Sequence, residues 1–331
     1  MTQDSTQTST PHSSGDSPGQ PSEVIDISQL RKTYGRTVAV DDVSFSVRAG
    51  EIFGILGPNG AGKTTAVECI IGLRRPDAGT IRVLGLDPES DQDREELHTL
   101  VGVQLQVSVL PAKLTVRENL DVYRSFYSHP ADVAELVATL GLGDKLGSYY
   151  QDLSGGQKQR LAVAVALIGQ PKIAVLDEMT TGLDPRARRD TWDLIEGIRA
   201  RGVTIVLVTH YMDEAQRLCD RVALFDQGRI VAIGTPSELA AEAGGGKQVT
   251  FVPSRQFDDH LLTNLPDVTS VEHQGPRVLV TGKGELVNVV LQTLAANGVT
   301  AEDVTSGGAT LEDAFLNLTG HHIHEPEEAT V

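Results

Sequence analysis

Residues Gly57, Pro58, Asn59, Gly60, Ala61, Gly62, Lys63, Thr64 and Thr65 fit the pattern GxxxxGK[ST]. In such a loop the backbone N–H groups wrap phosphates, the lysine reaches the β and γ groups, and the Thr64 hydroxyl binds magnesium. Farther along, Leu153, Ser154, Gly155, Gly156 and Gln157 open an apolar helix. Exposed amides and the helix dipole favour negative charge there too, so the chain holds two anion cradles. "IAVLDE" at 173–178 puts two carboxylates after four apolar residues. Asp177 would hold the magnesium through its water shell, and Glu178 would orient and polarise an attacking water as general base. His210 ends the run "VLVTH" and should emerge at the same carboxyl edge of the sheet, where open α/β folds bind ligands.

These groups need a strand, a glycine loop and a helix in that order, and the sequence supplies them. "EIFGILG" is a strand running into the loop, and "KTTAVECIIGL" follows with apolar Val67, Ile70, Ile71 and Leu73 on one helical face. Upstream, "VIDISQL" and "VAVDDVSFSV" are strand-like. Downstream, "KIAVLDE" and "VTIVLVTH" suit strands buried on both faces of a parallel sheet. "PRARRDTWDLIEGIRARG" is an amphipathic crossover helix, "YMDEAQRLCD" a further helix, and "VALFDQGRIVAIGTP" a hairpin about Asp-Gln-Gly. The charged stretch from about 88 to 160 is expected to be an inserted helical subdomain. Gly244 to Gly246 mark a linker, after which the order βαββαβ predicts a small ferredoxin-like α+β domain over 247–320.

Composition narrows the partners. Across 331 residues, 28 Lys and Arg stand against 45 Asp and Glu, a formal net charge of −17, and no basic track interleaved with aromatics marks nucleic acid. Cys69 and Cys219 are far apart, without metal spacing, which suits a reducing cytosol. No apolar run is long enough to span a membrane. Residues 1–23, rich in Ser, Thr and Pro, read as a disordered tail rather than a secretory signal, and 321–331 as an acidic one. The histidines of "GHHIHEPEE" lack a partner cluster and are not read as a metal site.

Over about Val24 to Leu239 the chain resembles the ATP-binding-cassette (ABC) ATPases. It has their Walker A at 57–64, signature LSGGQ at 153–157, Walker B at 173–178, D-loop TGLD at 181–184 and switch histidine His210, all in family order. The resemblance implies a P-loop α/β ATPase using ATP and Mg2+. It also implies a head-to-tail dimer in which Ser154 and Gly156 of one copy contact the γ-phosphate on the other's P-loop, with Asp184 at the seam. That answers why there are two cradles. Tyr34 matches the aromatic that stacks on adenine. For the Q-loop, Gln104 and Gln106 are both available, and the spacing to "LTVRENL" favours Gln106 as the contact to metal or water. Met179 stands where the family usually has proline, which should loosen the turn between Walker B and D-loop.

The short spacing between Lys63 and Asp177 leaves no room for the coiled coil of the DNA-repair relatives, and a single cassette argues against the translation factors. The ending "TLEDAFLNLTG" resembles the daunorubicin-resistance type of drug-export ATPase. The resemblance implies the ATPase subunit of a multidrug or antibiotic exporter, peripheral on the cytoplasmic face of the cell membrane, driving a separately encoded permease. The surface around Val107 to Tyr123 is expected to dock that permease. The alternative is a non-transport ATPase that remodels a soluble complex.

Overall fold

The computed structural model describes residues 22–105, 109–242, 247–308 and 310–320. Gln106, the glycine linker near 245, the acidic tail after 320 and nearly all of the N-terminal tail lie outside the described residues.

Strands β1 (Glu23–Tyr34) and β2 (Thr37–Arg48) pair antiparallel as a hairpin, with Ile25, Ile27 and Leu30 of β1 facing inward. β3 (Ile52–Leu56) leads to α1 (Lys63–Ile70), and β4 (Ala78–Val83) returns to pair with β1, giving a three-stranded sheet in order β2-β1-β4. Next come α2 (Asp91–Leu100), β5 (Val101–Gln104), α3 (Val116–Arg124), α4 (Val133–Thr139) and α5 (Gly155–Leu167). The starts of these four helices are set by side chains that accept backbone N–H groups: Ser90, Thr115, Asp132 and Ser154. β6 (Ile173–Asp177), α6 (Pro185–Arg199), β7 (Thr204–Thr209), α7 (Met212–Leu218), β8 (Arg221–Asp226), β9 (Arg229–Gly234) and α8 (Pro236–Glu242) complete the domain.

The main sheet runs β5-β6-β7-β3-β8-β9, parallel from β5 to β8 with β9 antiparallel at the edge. β3, β6 and β7 are buried along their whole length, which is why they read as unbroken apolar runs. Alternate residues serve two cores. Leu56, Leu176 and Leu207 face the helices α3 to α8, while Ile55, Val175 and Val208 face α1 and the three-stranded sheet. The range 88–160 expected for the helical subdomain includes α2 and β5. Both join the sheet domain instead, because Leu97 enters the α1 core and β5 hydrogen-bonds to β6.

Beyond residue 246, β10 (Lys247–Pro253), α9 (His260–Thr263), β11 (Val268–Gln274), β12 (Arg277–Gly282), α10 (Leu286–Ala296) and β13 (Ala301–Gly307) form a unit of their own. Its antiparallel sheet runs β11-β12-β10-β13, and Val249, Phe251, Val278 and Val280 pack on Leu262, Leu286 and Val290. The last helix, α11 (Leu311–Thr319), has a reciprocal Thr310–Asp313 cap and does not join that core. Leu311, Ala314 and Phe315 pack with Leu218 and Leu239 in the larger domain, against α7 and α8.

Candidate nucleotide site

β3 ends at Leu56, and the chain turns at once into the glycine loop. A Cβ on Gly57 would stand 2.2 Å from the Phe225 carbonyl oxygen, and one on Gly62 2.2 Å from that of Ala39. Gly62 also has φ +97°, a conformation that only glycine adopts without strain. The loop is braced from outside: Gly228 N–H donates to the Ala61 carbonyl at 3.0 Å and Asp41 N–H to the Gly228 carbonyl at 2.8 Å. The Asp-Gln-Gly turn, a plain hairpin signal in the sequence, therefore also shapes the loop. Pro58 is half-buried, Asn59 and Gly60 are exposed, and Thr64 and Thr65 lie in the first turn of α1, where there is no acidic residue.

Lys63 folds back inside this loop. Its Nζ donates to the carbonyls of Gly57 at 2.7 Å and Pro58 at 2.9 Å, and only 5% of the residue is exposed. Burial lowers its pKa, and the carboxylates of Glu178 and Asp177 oppose that shift. A buried ammonium held by carbonyls, beside a helix start and a backbone that no side chain could fill, fits a phosphate group.

β6 delivers the carboxylates. Asp177 is 1% exposed and opposes Val208 of β7, and Glu178 N–H donates to the Val208 carbonyl at 2.9 Å. Glu178 then turns into the left-handed region at φ +48°. His210 follows β7, so the two side chains leave adjacent strands at one edge. His210 Nδ1 lies 3.3 Å from Glu178 Oε1, and both side chains are buried. The opposite ring nitrogen, Nε2, is buried and without a hydrogen-bond partner among the described residues.

Gln104 ends β5 beside Leu176 and is 4% exposed. Its Nε2 donates to the Leu105 carbonyl at 2.7 Å. It lines a cavity of ≈ 330 Å³ together with Glu178, Thr181, Gly155 and Lys158. The favoured Q-loop residue, Gln106, lies outside the described residues, so Gln104 is the glutamine seen beside the carboxylate.

The signature residues start α5. The Ser154 hydroxyl accepts from Gln157 N–H, and Gln157 Oε1 accepts from Ser154 N–H, a reciprocal cap that spends both side chains on the helix start. Ser154 and Gly155 are exposed, and Gly156 is half-buried. Asp184 likewise caps α6, accepting from the amides of Arg186 and Ala187, and the Ala187 and Arg186 bonds hold its pKa below the usual aspartate value. Met179 is fully buried in the helical-side core, so it anchors the turn after Glu178 where looseness was expected. At the far end of the site Tyr34 is 41% exposed, flanked by the Arg74 guanidinium at 5.5 Å and the Lys32 ammonium at 5.8 Å from its ring centre.

The family model described as "ABC transporter" matches residues 40–181. The Nod factor export ATP-binding protein I of Rhizobium meliloti is 39% identical over 312 residues, covering 92% of this chain and 90% of that protein. The chain belongs to the ABC transporter ATP-binding proteins. The protein of the same name from Burkholderia orbicola is 45% identical, covering 91% of this ABC chain and 98% of its own. Among solved structures, cbiO1 from Clostridium perfringens, part of the ABC transporter complex cbiONQ, matches with a TM-score of 0.60 and 27% identity over 66% of this chain and 91% of that one. The dimeric post-hydrolysis state of the cassette MJ0796 bound to ADP and Pi matches with a TM-score of 0.58, 27% identity, and 64% and 98% coverage. This ABC subunit thus carries a P-loop ATPase domain that binds and hydrolyses ATP. Among the described residues no helix is long and apolar enough to cross a membrane, and no group of three or more metal-ligating side chains gathers.

Proposed function

We propose that this ATP-binding subunit powers export through a separately encoded membrane permease, from the cytoplasmic face of the cell membrane. The observation that carries the reading is the reach of the similarity: relatives named for export match over nine-tenths of the chain, past the cassette and into the C-terminal unit. That unit, with its split βαβ order of a ferredoxin-like domain, and the Leu311–Thr319 helix support a specialised exporter class over a bare cassette. The multidrug or antibiotic type named by the "TLEDAFLNLTG" ending is the narrower form of this proposal. The cargo would be chosen by the permease.

In this reading the loop from Gly57 to Thr65 and Lys63 would bind the phosphates, Tyr34 would carry the adenine, and Thr64, Asp177 and Gln106 would hold Mg2+. Held there, Mg2+ would supply neutralisation of the phosphate charge. Glu178 takes the proton of the attacking water, His210 keeps that carboxylate in place, and the open face of the Gln104–Glu178 cavity admits the water. The exposed start of α5 at Ser154, Gly155 and Gly156 serves the nucleotide of a second copy, with Gln157 fixing the cap and Asp184 at the seam. The permease would dock around Val107 to Tyr123, where Val109 and Val122 are exposed apolar side chains, with exposed Phe126 just beyond.

The test is capture of tagged Glu178→Gln protein with MgATP from detergent-solubilised host membranes, read by mass spectrometry. Recovery of a stoichiometric protein with several membrane spans is expected. Recovery of soluble partners alone, from folded and ATP-bound protein, would overturn export and favour a remodelling ATPase.

A further inference from the structure

Helices α6 and α7 leave the site from different motifs and then meet. α6 is capped by Asp184, four residues after the buried Thr180, and α7 starts two residues after His210. One face of α6, at successive i, i+4 positions, bonds to α7 three times. Arg188 Nη1 donates to Asp213 Oδ2 at 3.4 Å, Trp192 Nε1 to Glu214 Oε1 at 3.1 Å, and Arg217 Nη1 to Glu196 Oε1 at 2.8 Å. The outer pairs are partly exposed, and such ion pairs contribute little.

The middle contact differs in kind. Glu214 is 0% exposed, and a carboxyl taken out of water persists only where donors meet it. Burial pushes its pKa up, while the hydroxyls of Thr209 and Thr180 and the Trp192 indole pull against that shift. Thr209 is the last residue of β7, directly before His210, and its hydroxyl also accepts from Tyr211 N–H at 3.0 Å. Thr180 lies in the turn between Glu178 and Asp184. The buried carboxyl on the helix that follows His210 therefore bonds to the helix that Asp184 caps, through the Trp192 indole, while Glu214 Oε2 and Thr180 Oγ1 are buried with no hydrogen-bond partner among the described residues. Tyr211 completes the join, with its ring 4.1 Å from the His210 ring centre and 4.3 Å from the Arg188 guanidinium.

We propose that Glu214 is a positioning residue for ATP hydrolysis, holding the helix that follows His210 in register with the helix that Asp184 caps through its buried bond to Trp192. The inference rests on the reading that Glu178 and His210 act on ATP. Without this bond the two motifs ride on separate helices, and a displacement of about 1 Å between reacting groups can cost ~100-fold in rate. Trp192 is the single tryptophan of the chain, so its fluorescence reports the contact directly.

The experiment compares wild type, Glu214→Leu, Glu214→Gln, Trp192→Phe and His210→Ala as full chains. Glu214→Leu is expected to lower kcat about tenfold or more with KM for ATP unchanged. Glu214→Gln keeps an acceptor for Trp192 and is expected to restore most of kcat. In the Glu178→Gln background MgATP is expected to shift Trp192 emission, and Glu214→Leu to abolish that shift while ATP still binds by calorimetry. A folded Glu214→Leu protein with wild-type kcat would overturn the proposal. So would an emission that ignores MgATP, or a rate loss that merely tracks lost ATP binding. Should Glu214→Leu fail to fold, Trp192→Phe decides: wild-type kcat overturns the proposal and a lower kcat at unchanged KM supports it. His210→Ala separates the two levels. If it hydrolyses ATP normally, the reading of the site itself fails; if it is inactive while Glu214→Leu is normal, only the positioning role fails.

Discussion

Nδ1 of His210 lies 3.3 Å from Oε1 of Glu178, although the two residues are far apart in sequence. The contact exists because β6 and β7 are parallel neighbours, so their carboxyl ends open at the same place. With the carboxylate held this way, Glu178→Gln removes the proton acceptor while its amide still meets the imidazole. The expected outcome is ATP binding near wild type and turnover lowered about 10²- to 10⁴-fold, the usual contribution of a positioned base. A dimer that persists in MgATP should then appear by size-exclusion chromatography. Normal turnover would remove Glu178 from the base role.

Ser154 carries a different expectation, since it faces outward at the start of α5. An arginine there loses the reciprocal cap with Gln157, a cost of about 1 kcal/mol that a folded domain should survive. It also places a long side chain where a second copy's nucleotide would approach. Ser154→Arg is expected to bind ATP normally by calorimetry and to show no ATP-dependent dimer in the Glu178→Gln background. An unchanged dimer would contradict the trans-acting role of the signature.

The sheet and the phosphate loop were legible in the sequence because their signals are local. A strand buried on both faces must be apolar throughout, as "IAVLD" is, and the loop must hold glycine where Phe225 and Ala39 press on its backbone. What escaped depends on distant contacts. β4, "AGTIRV", has four exposed residues in six, and only its pairing with β1 makes it a strand. Met179 read as a missing proline, whereas its side chain fills a core assembled from many segments. The "LEDAFLNLT" helix follows the C-terminal unit in sequence, yet Leu311 and Phe315 find their partners on α7 and α8. Glu214 gave no signal, because a glutamate in "MDEAQRL" looks like any solvated helix face until Trp192 is seen over it.

Beside Tyr34, Asp77 supports a pH prediction. Its carboxylate accepts from the Thr33 hydroxyl at 2.6 Å, the Lys32 ammonium at 2.9 Å and the Thr33 amide at 2.7 Å. The Thr33 hydroxyl first, then Lys32, lower its pKa from 3.8 to about 2. A depressed folded-state pKa adds stability that is fully present above the unfolded value and is lost as pH falls through the folded one. Thermal melts of wild type and Asp77→Asn should therefore differ by a constant margin at neutral pH, and the margin should shrink between about pH 4 and pH 2. A margin that does not change across that range would show that the charge is not what binds Thr33 and Lys32.

Phe315 tests where the last helix belongs. Its ring is fully buried among side chains of the ATPase domain, and α11 contacts α8 and α7. Phe315→Ala leaves a cavity there and should cost about 3–5 kcal/mol, as should Phe251→Ala in the separate C-terminal core. Calorimetric scans with and without nucleotide tell the two apart, since ATP raises the melting temperature of the domain that binds it. The transition that nucleotide shifts is expected to fall in Phe315→Ala and to hold in Phe251→Ala. If Phe315→Ala instead lowers only a transition that ignores nucleotide, α11 is energetically part of the C-terminal unit, and its packing on α7 adds nothing to the helix that follows His210.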